Sequence, residues 1–158
     1  MASRAPIIKA CTLVTLGAGI TLAATRAPAT EPTVIELTQV PCQFLEPEKG
    51  KNHGYESRKK ADCEAINAGS AAARLAEAKT ILLRPGKYVF RVSNSNVQYE
   101  VGFWLRGAGP LQRLSLPSVS GRGLKPGTTR DYAIVLEEGE YVYSSPLNPT
   151  PDYKLVVK

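Results

Sequence analysis

From residue 80 onward the sequence is a succession of short apolar runs separated by turn-forming residues. The runs are Thr80–Leu83, Lys87–Ser93, Tyr99–Leu105, Thr128–Leu136, Tyr141–Ser144 and Lys154–Val157, with a shorter candidate at Arg113–Leu116. Pro-Gly or Glu-Gly pairs lie between several of them, and such pairs favour tight turns over helix. Many short strands at close spacing are typical of an all-β sandwich. With Thr33–Val40 as a first strand, the sequence predicts a Greek-key β-sandwich of seven or eight strands.

Residues 43–79 interrupt this pattern. They are polar at first and then rich in alanine and long unbranched side chains, which favour helix. Ser57 and Ser70 are candidate N-caps, and Gly69 between them is a candidate break. The sequence therefore predicts one domain over residues 30–158, with a helical insertion at 43–79 after the first strand, either as one helix or as two short helices divided at Gly69.

The first 29 residues have the pattern of an export signal. Arg4 and Lys9 precede an apolar run, Ala10–Ala24, and Ala27-Pro28-Ala29 resembles a signal-peptidase site. We expect cleavage near Thr30, a periplasmic or secreted mature protein, and no transmembrane segment in the mature chain. Removal of Arg4, Lys9 and Arg26 lowers the formal charge from +6 by three to +3. Nucleic-acid binding therefore has little electrostatic support.

Two cysteines remain after cleavage, Cys42 and Cys63. In an oxidising compartment, two cysteines that close a short loop are expected to form a disulfide. The alternatives are a pair of thiolate ligands for a soft metal ion or one redox-active thiol.

The loop from Ser144 to Asp152 contains Pro146, Pro149 and Pro151, which restrict its backbone. Its frame resembles the copper-binding loop of cupredoxins, in which a Gly-x-Tyr-x-Tyr strand leads into Cys-x-x-His and a later Met. Here Ser145 stands at the Cys position, Asn148 at the His position, and Pro151 near the Met position. The resemblance implies a cupredoxin-like fold whose copper ligands have been replaced.

The resemblance extends over Thr80–Lys158, where Leu83–Asn94 and Leu124–Tyr132 look like the Pro-Gly entries to cupredoxin strands. Within the superfamily the chain is most similar to the cupredoxin-like domain of bacterial EfeO-type iron-uptake proteins. That group has a Cys after the first strand, an aromatic-Glu-apolar triplet, and Gly-Glu-Tyr before the last turn. The matching residues are Cys42, Tyr99-Glu100-Val101 and Gly139-Glu140-Tyr141. The resemblance implies Cys42, Glu100 and Glu140 as metal-site positions.

A type 1 copper centre needs two imidazoles and a thiolate. The chain has one histidine, His53, and one methionine, Met1, so it cannot supply that set alone. Carboxylates could form a harder site for iron or Cu(II), alone or shared with a partner: Glu100 with Glu140, Asp152, or Glu137 and Glu138. No base accompanies a serine or cysteine nucleophile in a recognisable pattern, so we expect no enzymatic activity.

Two functions follow as expectations. The first is an accessory in iron or copper handling, or in an associated electron-transfer system, without its own blue-copper site. The second is a metal-free interaction or structural module that binds a periplasmic or membrane-associated protein. Candidate contact residues for a partner are the aromatics Trp104, Tyr141, Tyr143 and Tyr153. Basic residues that could dock an acidic partner are Arg106, Arg113, Arg122, Lys125 and Arg130.

Overall fold

The structure is a computed structural model that describes residues 31–158. Over these residues the chain forms nine strands and two helices. In order they are β1 (Thr33–Val40), β2 (Gln43–Phe44), α1 (Lys60–Glu77), β3 (Ile81–Leu83), β4 (Gly86–Asn94), β5 (Val101–Gly107), α2 (Gly109–Ser115), β6 (Val119–Leu124), β7 (Thr129–Leu136), β8 (Gly139–Ser144) and β9 (Tyr153–Val157). The predicted export signal at residues 1–29 lies outside the described residues.

The strands form two sheets that enclose one core. The four-stranded sheet has the order β2-β1-β4-β7, and the five-stranded sheet has the order β3-β9-β8-β5-β6. β1 runs parallel to β4 and β3 runs parallel to β9, whereas the other pairs are antiparallel. The architecture is thus the predicted β-sandwich, but residues 31–158 form nine strands rather than the expected seven or eight. It is mostly β rather than all-β, because both helices are part of the described chain.

The core is built from side chains at alternate positions along the strands, which face inward between the two sheets. Tyr88, Phe90 and Val92 face inward from β4, as the alternation in the sequence predicts. Phe103 of β5 lies near the centre, and its ring centroid is 5.1–6.3 Å from the rings of Phe44, Phe90, Tyr132 and Tyr143. Aromatic pairs at such separations contribute beyond the area they bury.

The insertion contains one helix rather than two. α1 continues through Gly69 without a break, and it begins at Lys60 rather than at Ser57. Asp62 Oδ2 accepts the backbone N–H groups of Arg58 and Lys59, at 2.8 and 3.1 Å, so an acidic side chain in the first turn satisfies donors at the helix start. Ser70 Oγ donates back to the carbonyl of Ile66 inside the helix. The two serines therefore do not cap helices.

The strand expected at Arg113–Leu116 is wrong, because Gly109–Ser115 form helix α2. Pro110 lies in the first turn, where its missing N–H costs nothing and its fixed φ suits a helix. α2 packs against β5 at Gly107, where an added Cβ would collide with the carbonyl of Gln112. Leu111 and Leu114 face outward and are exposed.

Within residues 31–158, neither α1 nor α2 combines the length and apolar content needed to cross a bilayer.

Candidate functional site

The candidate site lies at the end of the sandwich where the disulfide is found. Cys42, just after β1, is bonded to Cys63 of α1, and their Cα atoms are 4.9 Å apart. Tyr99 lies on the turn before β5, and Ser145 and Asn148 lie on the loop between β8 and β9. We call Cys42, Cys63, Tyr99, Ser145 and Asn148 the disulfide pole. Residues from four separate parts of the sequence thus meet in space.

Asn148 is the centre of the disulfide pole. Its side chain is fully buried. Its Oδ1 accepts the backbone N–H of Cys42 at 2.9 Å, and its Nδ2 donates to the carbonyl of Val40 at 3.0 Å. The Cys63 sulfur lies 3.2 Å from the same Oδ1. This side chain therefore holds the backbone at the end of β1 and just after it.

Tyr99 lies beside Asn148 in the disulfide pole. Its hydroxyl is 3.4 Å from Asn148 Oδ1 and 3.0 Å from the Oγ of Ser57. Burial raises the pKa of Tyr99, an effect that the hydrogen bond with Ser57 partly opposes. The phenol is therefore neutral at physiological pH and acts as a hydrogen-bonding group rather than as an anionic ligand.

Ser145 and the proline loop form hydrogen bonds with each other. Ser145 Oγ accepts the backbone N–H of Asn148 at 3.3 Å, and the Ser145 N–H donates to Thr150 Oγ1 at 3.2 Å. Pro151 is buried. Ser145 and Asn148 are thus bonded to each other, and Thr150 links Ser145 to the carbonyl of Pro151.

The side-chain carboxylates proposed as metal ligands lie outside the disulfide pole. Glu100 is exposed, and its Oε1 accepts the backbone N–H of Gly123 at 2.9 Å. Glu140 is exposed on β8. Asp152 accepts two hydrogen bonds, each 2.8 Å, from Arg106. Cys42 is in the disulfide and offers no thiolate. Across residues 31–158, no group of three or more His, Cys, Asp or Glu side chains is arranged to hold a metal ion.

A type 1 copper ion therefore does not fit the residues present. The soft ligands that such an ion requires are absent from the loop, and the polar atoms of Asn148 already have protein partners.

A second cluster, which the sequence analysis missed, anchors α1 beside the disulfide pole. Arg74 Nη2 is 2.7 Å from Glu48 Oε1, and Arg74 also donates to the carbonyl of Cys42 at 3.0 Å and to Asn67 Oδ1 at 2.7 Å. Tyr153 donates its hydroxyl hydrogen to the same Glu48 oxygen. Glu48 Oε2 lies 2.6 Å from His53 Nε2. We call Glu48, His53, Arg74 and Tyr153 the Arg74 cluster.

The Arg74 cluster stabilises a buried charge pair. The side chains of Glu48 and Arg74 are each 4% exposed. Burial alone would raise the pKa of Glu48, but hydrogen bonds from Arg74 and Tyr153 and the charge of Arg74 lower it overall. Burial and the hydrogen bond to Glu48 raise the pKa of Tyr153. Glu48 is therefore an anion and Tyr153 a neutral donor across the physiological range.

The cluster borders an open cleft of about 280 Å³ between the 48–53 loop and α1. Its lining residues are Glu48, Lys49, Lys51, His53, Ala73, Arg74 and Glu77. No serine or cysteine nucleophile lines this cleft. The cleft is lined mainly by charged side chains of both signs. The ion pair between Glu48 and Arg74 beside it already has its hydrogen-bond partners within the protein.

Three of the four aromatics considered for a contact patch are not available to a partner. Tyr141, Tyr143 and Tyr153 belong to the core. Trp104 is half-buried, with the guanidinium of Arg106 4.0 Å from its ring centroid and that of Arg113 5.7 Å away. Arg106 is itself buried and paired with Asp152, so it is not a free docking residue.

Comparison with known proteins gives no match, either to a protein-family model or to a curated protein.

Proposed function

We propose that the protein is an exported, non-catalytic interaction or structural module built on a cupredoxin-like Greek-key scaffold, with the copper-site end closed by the disulfide pole. The observation that carries this proposal is the position of Asn148. At the place of a ligand histidine, a fully buried amide bonds the backbone around Cys42 and lies against Cys63. Because the side-chain oxygen and nitrogen of Asn148 both form hydrogen bonds within the protein, neither atom is left to bind an ion.

The cupredoxin-like part of the proposal is supported by the sheet arrangement and by the loop resemblance together. Parallel pairing of β1 with β4 and of β3 with β9 joins the two ends of the chain to its middle. The loop between β8 and β9 lies at the same end of the sandwich as Cys42 and Tyr99. These are the positions that the resemblance groups into one site.

Export to the periplasm or beyond is supported by two independent features. The first 29 residues have the pattern of a cleavable signal. The buried disulfide between Cys42 and Cys63 is of a kind that persists in oxidising compartments. We expect the partner to be a periplasmic or membrane-associated protein.

Metal retention tests the proposal. The purified, oxidised protein is incubated with Cu(II), Fe(II) or Fe(III), desalted, and analysed for bound metal. We expect less than stoichiometric retention, equal in the wild type, in Glu100→Gln and in a control variant, Glu36→Gln, on the opposite sheet. Stoichiometric retention that is lost only in Glu100→Gln would overturn the proposal in favour of a metal-handling protein.

One observation favours metal handling as a second candidate function. Glu48 and His53 pair at the rim of an open cleft that Glu77 also lines. A carboxylate and an imidazole are an incomplete ligand set for iron or Cu(II), which a partner protein could complete. Electron paramagnetic resonance of a Cu(II) titration tests this candidate. Nitrogen hyperfine structure that disappears in His53→Ala would support it, and identical spectra in the two proteins would reject it.

A further inference from the structure

Helix α2 has an inverted amphipathic arrangement. Leu111 and Leu114 lie one turn apart, and their side chains are 82% and 88% exposed. The polar side chain between them, Gln112, is directed at the sheet instead, and its amide nitrogen donates to the carbonyls of Ala108 and Glu140 at 3.2 and 2.6 Å. A surface helix ordinarily buries its leucines and exposes its glutamine. The two leucines of α2 therefore lie outside the core, where they are free to contact another molecule.

The backbone of α2 is fixed in this orientation at both ends. An added Cβ at Gly107 would collide with the α2 backbone, so β5 and the helix are in close contact. The Ala108 N–H donates to the carbonyl of Glu140 at 2.8 Å, and Leu116, just after the helix, packs against Gly139 at the start of β8. Because the helix is held in place, its outward side chains lose little conformational freedom when they bind a partner.

A tryptophan and a cation border the two leucines. The guanidinium of Arg113 lies 5.7 Å from the ring centroid of Trp104, which is half-buried on β5. Arg113 is exposed, and within residues 31–158 no carboxylate forms an ion pair with it. Arg106, which also contacts this ring, is paired with Asp152. Tryptophan and arginine are enriched at binding hot spots. We call the four side chains that form this surface the α2 ridge: Trp104, Leu111, Arg113 and Leu114.

The charges around the α2 ridge favour a protein over a membrane as its occupant. Glu137 and Glu138 are exposed and precede Gly139, which touches the residue after the helix. Glu140 is exposed beside the start of the helix. A bilayer with anionic headgroups would attract Arg113 but repel these three carboxylates. A protein surface can place a carboxylate against Arg113 and other groups opposite the glutamates.

A second copy of the chain fits the α2 ridge less well than a different protein does. A protruding helix buries its anchor residues in an apolar groove. The open apolar depression on the four-stranded sheet has Lys87 among its lining residues, so docking there would set Lys87 against Arg113 of the other copy. Two α2 ridges placed against each other would bury little area, because both surfaces protrude.

We propose that the α2 ridge is the surface with which the protein binds its partner, and that the partner is a protein with an apolar groove and a carboxylate at the rim of that groove. Leu111 and Leu114 fill the groove as anchors at positions i and i+3, and Arg113 pairs with the carboxylate. The inference rests on the proposed interaction function. It assigns that function to the end of the sandwich opposite the disulfide pole, because β5 begins beside the pole and leads into α2 at its other end.

Photo-crosslinking in the organism that encodes the chain tests the α2 ridge. The crosslinking residue p-benzoylphenylalanine replaces Ser115, which is exposed beside the ridge, so that both leucines stay in place. We expect a discrete adduct with an extracytoplasmic protein. Leu114→Ser and Arg113→Gln should each lower the adduct yield about tenfold, the effect of losing one hot-spot contact. The matched control is Leu82→Ser, which removes an exposed leucine from β3 and should leave the yield unchanged.

The purified protein provides a second measurement, with 8-anilinonaphthalene-1-sulfonate as the probe. This probe joins apolar rings to an anionic group, as the proposed groove and its rim do. Trp104 is the only tryptophan of the chain, and energy transfer from it reports probe binding. Leu114→Ser and Arg113→Gln should each weaken binding about tenfold, with unchanged circular dichroism, whereas Leu82→Ser should bind as the wild type does.

Several outcomes would overturn the proposal. An adduct yield that both α2 variants leave unchanged would remove this surface but leave an interaction function in place. No adduct from position 115, or an equal loss in Leu82→Ser, would also reject the α2 ridge. Flotation with vesicles of phosphatidylcholine and phosphatidylglycerol that depends on Leu114 would assign the ridge to a membrane. A wild-type dimer in sedimentation equilibrium that Leu114→Ser dissociates would assign it to a second copy. Stoichiometric metal retention would instead reject the proposed function itself.

Discussion

Arg74 shows how much a single buried side chain can do in this fold. It lies near the end of α1, yet its guanidinium reaches Glu48, the carbonyl of Cys42 and the hydroxyl of Tyr153. One residue therefore connects the helix, the loop before it and the last strand. A planar group with five donors can make these bonds at once, which a lysine could not.

Removal of Arg74 should therefore be costly. In Arg74→Ala the Glu48 carboxylate would stay buried without its cation, and we expect a loss of about 3–5 kcal/mol in the free energy of unfolding. The control is Arg91→Ala, which breaks an ion pair whose side chains are 43% and 47% exposed. That change should cost only about 0.2–1 kcal/mol. Urea denaturation measures both, and similar losses would contradict the assigned role of Arg74.

The lowered pKa of Glu48 predicts a dependence of stability on pH. In the unfolded chain Glu48 titrates near 4.5, and in the folded protein it titrates lower. Its contribution to stability is therefore complete above about pH 4.5 and is lost as the pH falls through the folded-state value. Glu48→Gln should reduce the acid dependence of the free energy of unfolding below that pH. The comparison is Glu36→Gln, at an exposed position on β1, which should leave the dependence unchanged.

At the scale of elements, α1 is held at a few polar or covalent points rather than along an apolar face. Only Cys63, near its start, and Arg74, near its end, are buried among its side chains. Leu75 is exposed, and the alanines supply little area for a hydrophobic contact. The helix therefore depends for its position on one covalent bond, one ionic cluster and a hydrogen bond from Asn67 Nδ2 to the Pro149 carbonyl at 2.7 Å, where most surface helices use an apolar stripe.

Because α1 is attached in this way, we expect removal of the disulfide to loosen α1 locally rather than the whole domain. Cys42→Ser with Cys63→Ser should lower the free energy of unfolding by about 3 kcal/mol, as expected for a loop of this length. Amide hydrogen exchange should show protection falling in α1 before it falls in β4 or β5. Uniform loss of protection across the sandwich would show instead that α1 and the sheets form one cooperative unit.

The elements that the sequence predicted well are those with a clear period. Tyr88, Phe90 and Val92 alternate over enough residues to define the inward face of β4, and the structure buries all three. The four residues at Arg113–Leu116 were too few to distinguish a strand from a helix. The decisive factor for α2 was tertiary, because Gly107 allows the backbone of Gln112 to approach β5 closely.

The candidate site was predictable only in part. The resemblance implied Cys42, Glu100 and Glu140 as metal-site positions and Ser145, Asn148 and Pro151 as former ligand positions. The structure brings Cys42, Ser145 and Asn148 together with Tyr99, whereas Glu100 and Glu140 are exposed outside this group. The resemblance gave no sign of the Arg74 cluster, because Glu48, Arg74 and Tyr153 are far apart in sequence and none belongs to a motif. An arginine among alanines on a predicted helix is ordinarily an exposed residue. The one available hint was that α1 had no apolar stripe with which to pack.

For the whole molecule, export and oxidation should leave a direct signature in mass. When the chain is expressed with its first 29 residues in a bacterial host, we expect the extracytoplasmic form to begin near Thr30. Its mass should be lower by two hydrogen atoms than that of the reduced chain, because Cys42 and Cys63 are bonded. Intact-mass spectrometry of the periplasmic fraction checks both. Leu16→Arg, which interrupts the apolar run, should retain the precursor in the cytoplasm, whereas full-length cytoplasmic wild type would contradict the export signal.

The parallel pair between β3 and β9 affects the order in which the molecule can assemble. β9 lies between β3 and β8 in its sheet, although Tyr153–Val157 are among the last residues of the sequence. During synthesis or membrane translocation, a chain that emerges from its amino end leaves β3 without a neighbour until those five residues appear. The polypeptide should therefore stay unfolded enough to pass through a secretion channel until β9 has emerged, and the sandwich should close only after that.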